Sequence, residues 1–577
     1  MAHPANATLI WEIAELLRGD YKQSEYGKVI LPWTLLARLD AVLAPTKAAV
    51  MTAFDKHQDT PYLLDFVLPQ ASGLPFYNTS RFDLATLIGD APGIKENLIA
   101  YVGYFSANVR DIFERYGFTD QLKRLEAAEL LYLVAGKFAV LDLSEQAISN
   151  TGMGLMFEEL IRHFSELSNE TAGEHYTPRE VIQLMVNLLF TPDDAGLQTA
   201  GIIRSIYDPA AGTGGMLTVA EEWIKGHNPG AKLSLFGQEL NDESYAICKT
   251  ELLIKGYDAQ QIVRGNTFSG DGHAGKHFDY LLCNPPFGVE WKKVEKEVRA
   301  EHQKKGMDGR FGPGLPRISD GSLLFLLHLI SKMRPAAEGG SRIAIVLNGS
   351  PLFTGGAGSG ESDIRRWIIE NDWLEAIVAL PTDMFYNTGI ATYIWLVSNR
   401  KSAEREGMIQ LINASSMFQK MRKSLGSKRK KMSDDHIADV TRWYGAGEPT
   451  TTSKLFRNAE FGYHTITIER PLRDERGAIV RDAKRKPKPD PSLRDTENVP
   501  LDEDINAYFE REVLPHVPDA WIDHGKTKVG YEIPFTRHFY EYVPPRPLAA
   551  IDGELQQISR EIQALLAAIT AAGEASQ

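Results

Sequence analysis

The chain has 577 residues, a formal charge of −13 and 43% hydrophobic residues; that is a globular composition too long for one core, so about two to four domains are expected. The acidic balance excludes a chain that binds nucleic acid unaided through a broadly basic surface, but leaves room for a local basic groove or a basic partner. Two cysteines, Cys248 and Cys283, cannot make a disulfide framework or alone ligate a structural zinc. With no secretory leader and no apolar run expected to reach transmembrane length, the expectation is a soluble cytoplasmic protein without membrane attachment.

Residues 1–150 are expected to form a helical domain. "LIWEIAELLRG", "VILPWTLLARLDAVLAP" and "DQLKRLEAAELLYLVAGKFAVLDL" place apolar residues at three- and four-residue spacing, with Gly19 and Pro45 as stops. No catalytic constellation is visible there.

Residues 151–400 change texture. "GEHYTPREVIQLMVNLLF" reads as a loop entering a helix, and "IIRSIYDPAAGTGGMLTVAEEWI" as strand, Gly-rich turn and helix. "KLSLFGQEL" reads as a strand, "ESYAICKTELLIKGY" as a helix and "HFDYLLCNPPFG" as a strand that stops abruptly. "LLFLLHLISKMRP", "SRIAIVLNGS", "DWLEAIVALP" and "TYIWLVSN" continue the alternation. Alternating strand and helix implies an α/β fold with a mostly parallel, doubly wound sheet, whose ligands sit beyond the strand C-termini.

Residues 401–577 are mixed. "QKMRKSLGSKRKKM" is a basic run, in which Lys428, Arg429, Lys430 and Lys431 either meet DNA phosphates or form a solvated loop. Residues 473–500 are charged and Pro-rich, as in an exposed insert. "LAAIDGELQQISREIQALLAAIT" closes the chain with Ile551, Leu555, Ile558, Ile562, Leu565 and Ile569 in alternating steps of three and four. That is a seam for another chain's helices, or the apolar face of an ordinary packed helix.

Three turns carry chemistry. Asp208-Pro209-Ala210-Ala211-Gly212-Thr213-Gly214-Gly215 lets a ligand approach the backbone, although a tight strand-to-helix connection asks for the same glycines. It lacks the Gly-Lys-Ser/Thr ending of a phosphate loop and the G-x-G-x-x-G spacing of a dinucleotide site. Glu239 at the end of the next strand suits the two hydroxyls of a ribose, or is a solvated strand-end acid. Asn284-Pro285-Pro286-Phe287 ends the third strand, because neither proline has an N–H for the ladder. An aromatic amino nitrogen is a poor nucleophile, its lone pair being delocalised into the ring. The Asn284 oxygen and a following carbonyl, held stiff by prolines, would accept its hydrogens and raise its electron density. Phe287 would stack on a base that has left the helix. A strand-ending turn with a core Phe is the bland alternative.

The order of "GEHYTPREVI", "YDPAAGTGGMLT", "FGQE" and "NPPFG" resembles the amino-directed DNA methyltransferases. The opening "LIWEIAELLRGDYKQSEYGKVILPWTLLARLD" and the closing "YHTITIERPLR" and "VGYEIPFTRHFYEY" narrow the resemblance to the modification subunits of bacterial type I restriction–modification systems. The resemblance implies a Rossmann-like, S-adenosyl-L-methionine-dependent methyltransferase domain between an N-terminal all-helical domain and a mixed C-terminal region ending in a helix. It assigns Glu174, His175, Tyr176, Thr177, Pro178 and Arg179 to a cofactor-binding segment, in which the family more often has a Gln and an aromatic at the first two positions. Asp208, Thr213, Gly214 and Gly215 match the turn that holds the cofactor's methionine part, Glu239 the ribose acid, and Asn266 a position near its adenine. Asn284, Pro285, Pro286 and Phe287 match the catalytic tetrapeptide of N6-adenine methylation. No metal is implied, since the methyl is already activated by its sulfonium. The implied partners are double-stranded DNA, a specificity subunit joined by two copies of this chain, and an ATP-driven restriction subunit. Rival readings are a glutamine-amide protein methyltransferase, a cytosine-N4 enzyme (where Ser is more usual at position 284) and a non-catalytic assembly or DNA-clamping subunit.

Overall fold

The computed structural model describes residues 12–167, 177–386, 388–540, 542 and 547–574. The chain divides into two compact units, Met1–Ile533 and Pro534–Gln577.

The first unit is organised by a nine-stranded sheet. Its strands are β1 (Ile203–Asp208), β2 (Lys232–Glu239), β3 (Ile262–Arg264), β4 (Tyr280–Cys283), β5 (Arg342–Asn348), β6 (Leu374–Ala379), β7 (Thr392–Ser398), β8 (Met408–Asn413) and, after a hairpin of β9 (Gln419–Leu425) and β10 (Lys428–Lys431), β11 (Ser453–Arg457). Their order in space is β11-β8-β6-β7-β5-β4-β1-β2-β3. β4, β5 and β6 are buried along their whole length, which is why they read as unbroken apolar runs. The sheet is mostly parallel, as expected. β7 is an exception, antiparallel to both β5 and β6, because it returns from β6 with no helix to carry a crossover. β11 is antiparallel to β8.

Neither expected boundary is a break in packing. The sheet does not stop at residue 400, since β8 pairs parallel with β6 and β11 pairs with β8. Nor do residues 1–150 pack alone. Their apolar side chains share one continuous core with the sheet domain, and Asp111 accepts from Tyr245 Oη (2.8 Å) and pairs with Lys249 Nζ (3.1 Å). One further expectation needs correcting. By length and composition the helical run Gln23–His57 is long and apolar enough to cross a membrane. In this fold 67% of its apolar window is buried inside the protein, where Trp33 stacks on Phe138 at 5.6 Å.

The basic run is no loop. It forms the antiparallel β9–β10 hairpin, and Lys428 is buried, its ammonium held by Glu180, the Met384 carbonyl (2.9 Å) and the Lys430 carbonyl (3.0 Å). Lys428 therefore has no reach to a phosphate. Residues 473–494 are largely exposed, but β13 (Asp495–Pro500) joins a small antiparallel sheet with β12 (Gly462–Glu469), β14 (Trp521–Ile522) and β15 (Lys528–Tyr531). Ile466, Ile468, Val499, Phe509 and Val513 form its core.

The second unit carries the helix Leu548–Glu574. Ile551, Leu555, Ile558, Ile562 and Leu565 of its seam are 38–65% exposed; the side chain of Ile569 lies outside the described residues.

Candidate active site

A cleft of about 590 Å³ opens beyond the C-terminal ends of β1, β2 and β4. Strand order reverses there: the chain runs outward from β1 through β2 to β3, then returns to place β4 on the other side of β1. Adjacent crossovers part at such a switch point and leave a crevice. Thr177, Asp208, Thr213, Gly215, Glu239, Asn266, Asn284 and Pro286 all line it, so residues far apart in sequence meet around one space.

The turn after β1 is built by backbone necessity. Gly212 (φ +54°) and Gly214 (φ +91°) are left-handed, and the helix Gly215–His227 starts straight after. A Cβ on Gly214 would lie 2.9 Å from Cys248 Sγ, so that glycine sits behind the cleft wall, against the helix Asp242–Ile254. Gly214→Ala is expected to cost about 2–4 kcal/mol, combining left-handed strain with overpacking. Gly215→Ala, whose Cβ would meet only Ile182 Cδ1 at 3.5 Å, is expected to cost under about 1 kcal/mol. Denaturant unfolding of the two variants checks the contrast.

Two carboxylates flank this turn. Glu239 accepts the Gly212 N–H at Oε2 (2.8 Å) and the Asn241 N–H at Oε1 (2.7 Å), tying the glycine turn to the end of β2. Asp208 is fully buried and, among the described residues, accepts a hydrogen bond from the Ala210 N–H alone, at 3.0 Å. Burial, aided by the nearby Glu239 charge, pushes its pKa up to about 7. The next loop is pinned to the same turn, as Thr267 Oγ1 donates to the Pro209 carbonyl (2.6 Å). Asn266 faces the cleft but its oxygen is committed to the Phe268 and Ser269 N–H groups (2.9 and 3.3 Å).

At the end of β4, Asn284 Nδ2 donates to Thr177 Oγ1 at 2.9 Å. Its Oδ1 is buried and has no hydrogen-bond partner among the described residues. Pro285 is buried and Pro286 exposed. Phe287 lies outside the cleft lining, half-buried, with its ring edge-on to Phe385 (5.3 Å, 87°). Within the expected cofactor segment, Pro178 is buried ahead of the helix Arg179–Phe190. Arg179 is not brought to the cleft, because its guanidinium turns away to Glu222 (3.1 Å). Glu174, His175 and Tyr176 lie outside the described residues.

Sequence reasoning missed Arg310. Its guanidinium donates to the Thr267 carbonyl (2.6 Å) and the Phe268 carbonyl (2.8 Å), and pairs with Glu301 (2.7 Å). It also donates to His328 Nδ1 at 3.2 Å. Burial and the neighbouring guanidinium hold His328 well below the usual histidine range, so it is neutral and its Nε2–H is directed at Tyr207 Oη, 2.9 Å away. This network fixes the loop after β3 to the strand β1. Val289 and Phe325, also unforeseen, add apolar wall. Glu301 lies nine residues before Arg310, but the carbonyls it clasps, Thr267 and Phe268, are 43 and 42 residues away, and no local pattern marks that contact.

The N-6 DNA Methylase family pattern matches residues 149–462, and that of the HsdM N-terminal domain matches residues 7–138. The MjaIX type I restriction enzyme methylase subunit of Methanocaldococcus jannaschii is 27% identical over 329 residues, 56% of this chain and 54% of that protein. The EcoEI methylase subunit of Escherichia coli is 29% identical over 298 residues, 50% of this chain and 54% of that protein. The chain spans about half the length of the curated relatives it matches. Among solved structures, a type I restriction-modification system methyltransferase subunit from Streptococcus thermophilus has the same fold, with a TM-score of 0.63 at 22% identity over 80% of this chain and 97% of that one. A modification subunit of a type I restriction enzyme from Vibrio vulnificus gives 0.52 at 17% identity over 88% and 98%. With the family pattern covering more than half of its length, and the glycine turn, strand-end acid, Asn284 and Pro286 gathered around one cleft, the chain belongs to the N-6 DNA Methylase family.

Proposed function

We propose that the chain transfers the methyl group of S-adenosyl-L-methionine to N6 of an adenine in double-stranded DNA, as the modification subunit of a type I restriction–modification complex. The observation that carries this reading is the Asn284 amide, whose nitrogen is bound to Thr177 while its buried oxygen has no partner among the described residues. An open buried acceptor costs about 1–3 kcal/mol and suits a ligand amino group that arrives to donate. Asn284 Oδ1 and the Pro285 carbonyl accept the two N6 hydrogens of a flipped adenine and concentrate electron density on that nitrogen. The two prolines keep both acceptors in place; Phe287, packed edge-on to Phe385 outside the cleft lining, would have to turn from that contact to stack on the base.

The residues present fit the cofactor. The glycine turn leaves backbone bare beside Thr213, and Glu239 offers a carboxylate at the end of β2 for ribose hydroxyls. Thr177 lies beside Asn284, and the Asn266 loop bounds the far side. When bound, the cofactor supplies an electrophilic methyl on a cationic sulfur. The chain's own part is to hold cofactor and base in line, which supplies the proximity contribution. The N6 proton leaves only after the nitrogen has become cationic, so no strong base is required.

Sequence recognition falls to a separate specificity subunit, joined by two copies of this chain, with an ATP-driven restriction subunit as a further partner. The exposed apolar seam of the helix Leu548–Glu574 supports this reading, because such a seam suits another chain's helices. The test is calorimetric titration of S-adenosyl-L-methionine into the full chain, with and without its co-encoded specificity partner, then transfer of labelled methyl to duplex DNA. Label on adenine N6 only with partner and DNA is the expected result. Label on protein alone would point to an amide substrate, and no cofactor binding in either state to a non-catalytic assembly subunit.

A further inference from the structure

The β9–β10 hairpin is a basic arm on an acidic chain. Lys420, Arg422, Lys423, Arg429 and Lys431 are exposed, and among the described residues none of these five side chains has an ion pair. Lys430 stands directly across from Lys420, and like charges opposed in a strand pair destabilise it. Of this opposed pair, Lys430 finds an acid, Asp383, at 3.5 Å, and Lys420 finds none among the described residues. The charge is therefore not arranged for the hairpin's own stability; it suits an external polyanion.

The arm is stapled to the neighbours of the candidate catalytic turn. Ser427 N–H donates to the Tyr386 carbonyl (2.8 Å) and Arg429 N–H to the Asp383 carbonyl (2.9 Å). A Cβ on Gly426 would meet the Tyr386 carbonyl oxygen at 2.5 Å, so the turn lies tight against segment 383–386. That segment holds Phe385, the ring partner of Phe287. From the other side, the buried Lys428 ammonium binds Glu180, on the helix that follows Thr177, the partner of Asn284. The arm is thus anchored at two points, one on the segment whose Phe385 meets Phe287 and one on the helix at Glu180, three residues beyond Thr177, the partner of Asn284. A seven-residue strand spans about 24 Å, or roughly seven base steps of duplex axis.

We propose that this arm grips the phosphate backbone beside the target base, through Lys420, Arg422 and Lys423 on β9 and Arg429 and Lys431 on β10, while Lys428 serves as its anchor. The proposal rests on the DNA-methylating reading above. Such contacts are blind to sequence and add positioning and affinity rather than specificity. The test measures duplex affinity of the full chain with its specificity partner over a salt series. The triple variant Lys420→Gln, Arg422→Gln, Lys423→Gln is compared with a control of equal charge loss, Lys484→Gln, Lys486→Gln, Lys488→Gln, taken from the exposed 473–494 segment.

At about 0.9 per phosphate contact, the slope of log K against log salt is expected to become shallower by roughly 1–3 in the arm variant and to stay unchanged in the control. Cofactor affinity should be unaltered in both. A parent-like slope in the arm variant, or an equal change in the control, overturns the arm. If the parent binds and methylates the duplex and the arm variant does so equally well, the arm alone fails. If the parent complex binds no duplex in any salt, the arm and the methyltransferase reading fail together.

Discussion

Asn284→Ala should lower the rate of methyl transfer about 10²–10³-fold, the usual loss when one preorganised polar partner of a reacting group is removed. Its amide oxygen is the buried, unpartnered acceptor at the end of β4, and Ala offers nothing in its place. Cofactor affinity should change little, because the Asn284 side chain makes no hydrogen bond to the glycine turn or to Glu239; its bond is to Thr177. Stability should change little as well. One hydrogen bond is lost and one unsatisfied acceptor is removed, and these offset at the level of about 1 kcal/mol. Thr177→Val tests the same geometry from the other side. It leaves the Asn284 oxygen in place but deletes the acceptor that orients the amide, so an intermediate fall of about tenfold is expected. Single-turnover transfer to adenine N6, measured beside cofactor binding and thermal unfolding, checks both. Loss of cofactor binding by a folded Asn284→Ala protein would show that this residue holds the cofactor rather than the base.

The second large effect lies at Asp208. Its pKa in the folded chain stands near 7, against about 3.9 for an unfolded Asp. The folded state therefore holds the proton more tightly, and the group's contribution to stability is full below about pH 4 and lost as pH rises through 7. Asp208→Asn removes that dependence. Near pH 4 variant and parent should unfold alike, whereas at pH 8 the variant should be the more stable by on the order of a few kcal/mol. Unfolding curves across this range check the sign, and a variant less stable at pH 8 would contradict it. A cost of this size persists where a site needs the charge. Accordingly, binding of the cationic cofactor should tighten in the parent as pH rises through 7, and that pH dependence should flatten in Asp208→Asn.

The strands, the glycine turn and the proline-terminated strand were legible because their causes are local. β4, β5 and β6 are buried on both faces and so must be continuously apolar. Gly212 and Gly214 occupy left-handed backbone that other residues enter only at a cost. Pro285 and Pro286 remove two donors and end the ladder wherever they stand. The side-chain direction of Arg179 was not legible, for the opposite reason. Whether it faces the cleft or Glu222 depends on a helix more than 30 residues away, which its own neighbours do not encode. Lys428 looked like one cation in a run, and only the docking of β10 against the helix Arg179–Phe190 made it a buried anchor.

By itself, then, the sequence determined which segments form the sheet, where their C-terminal turns bear an acid, a bare glycine backbone or a rigid amide, and which family pattern they follow. Each of these depends on side-chain period, backbone freedom or a missing N–H within a few residues. The tertiary structure alone decided that Asn284 turns its nitrogen to Thr177 and leaves its oxygen open, that Asp208 is buried deeply enough to hold a proton near neutrality, and that Arg310 clasps the loop after β3. Those outcomes rest on desolvation at Asp208 and on hydrogen-bond partners 107 residues apart for Asn284 and 43 for Arg310, and such surroundings exist only once the crossovers have closed around β1 and β4.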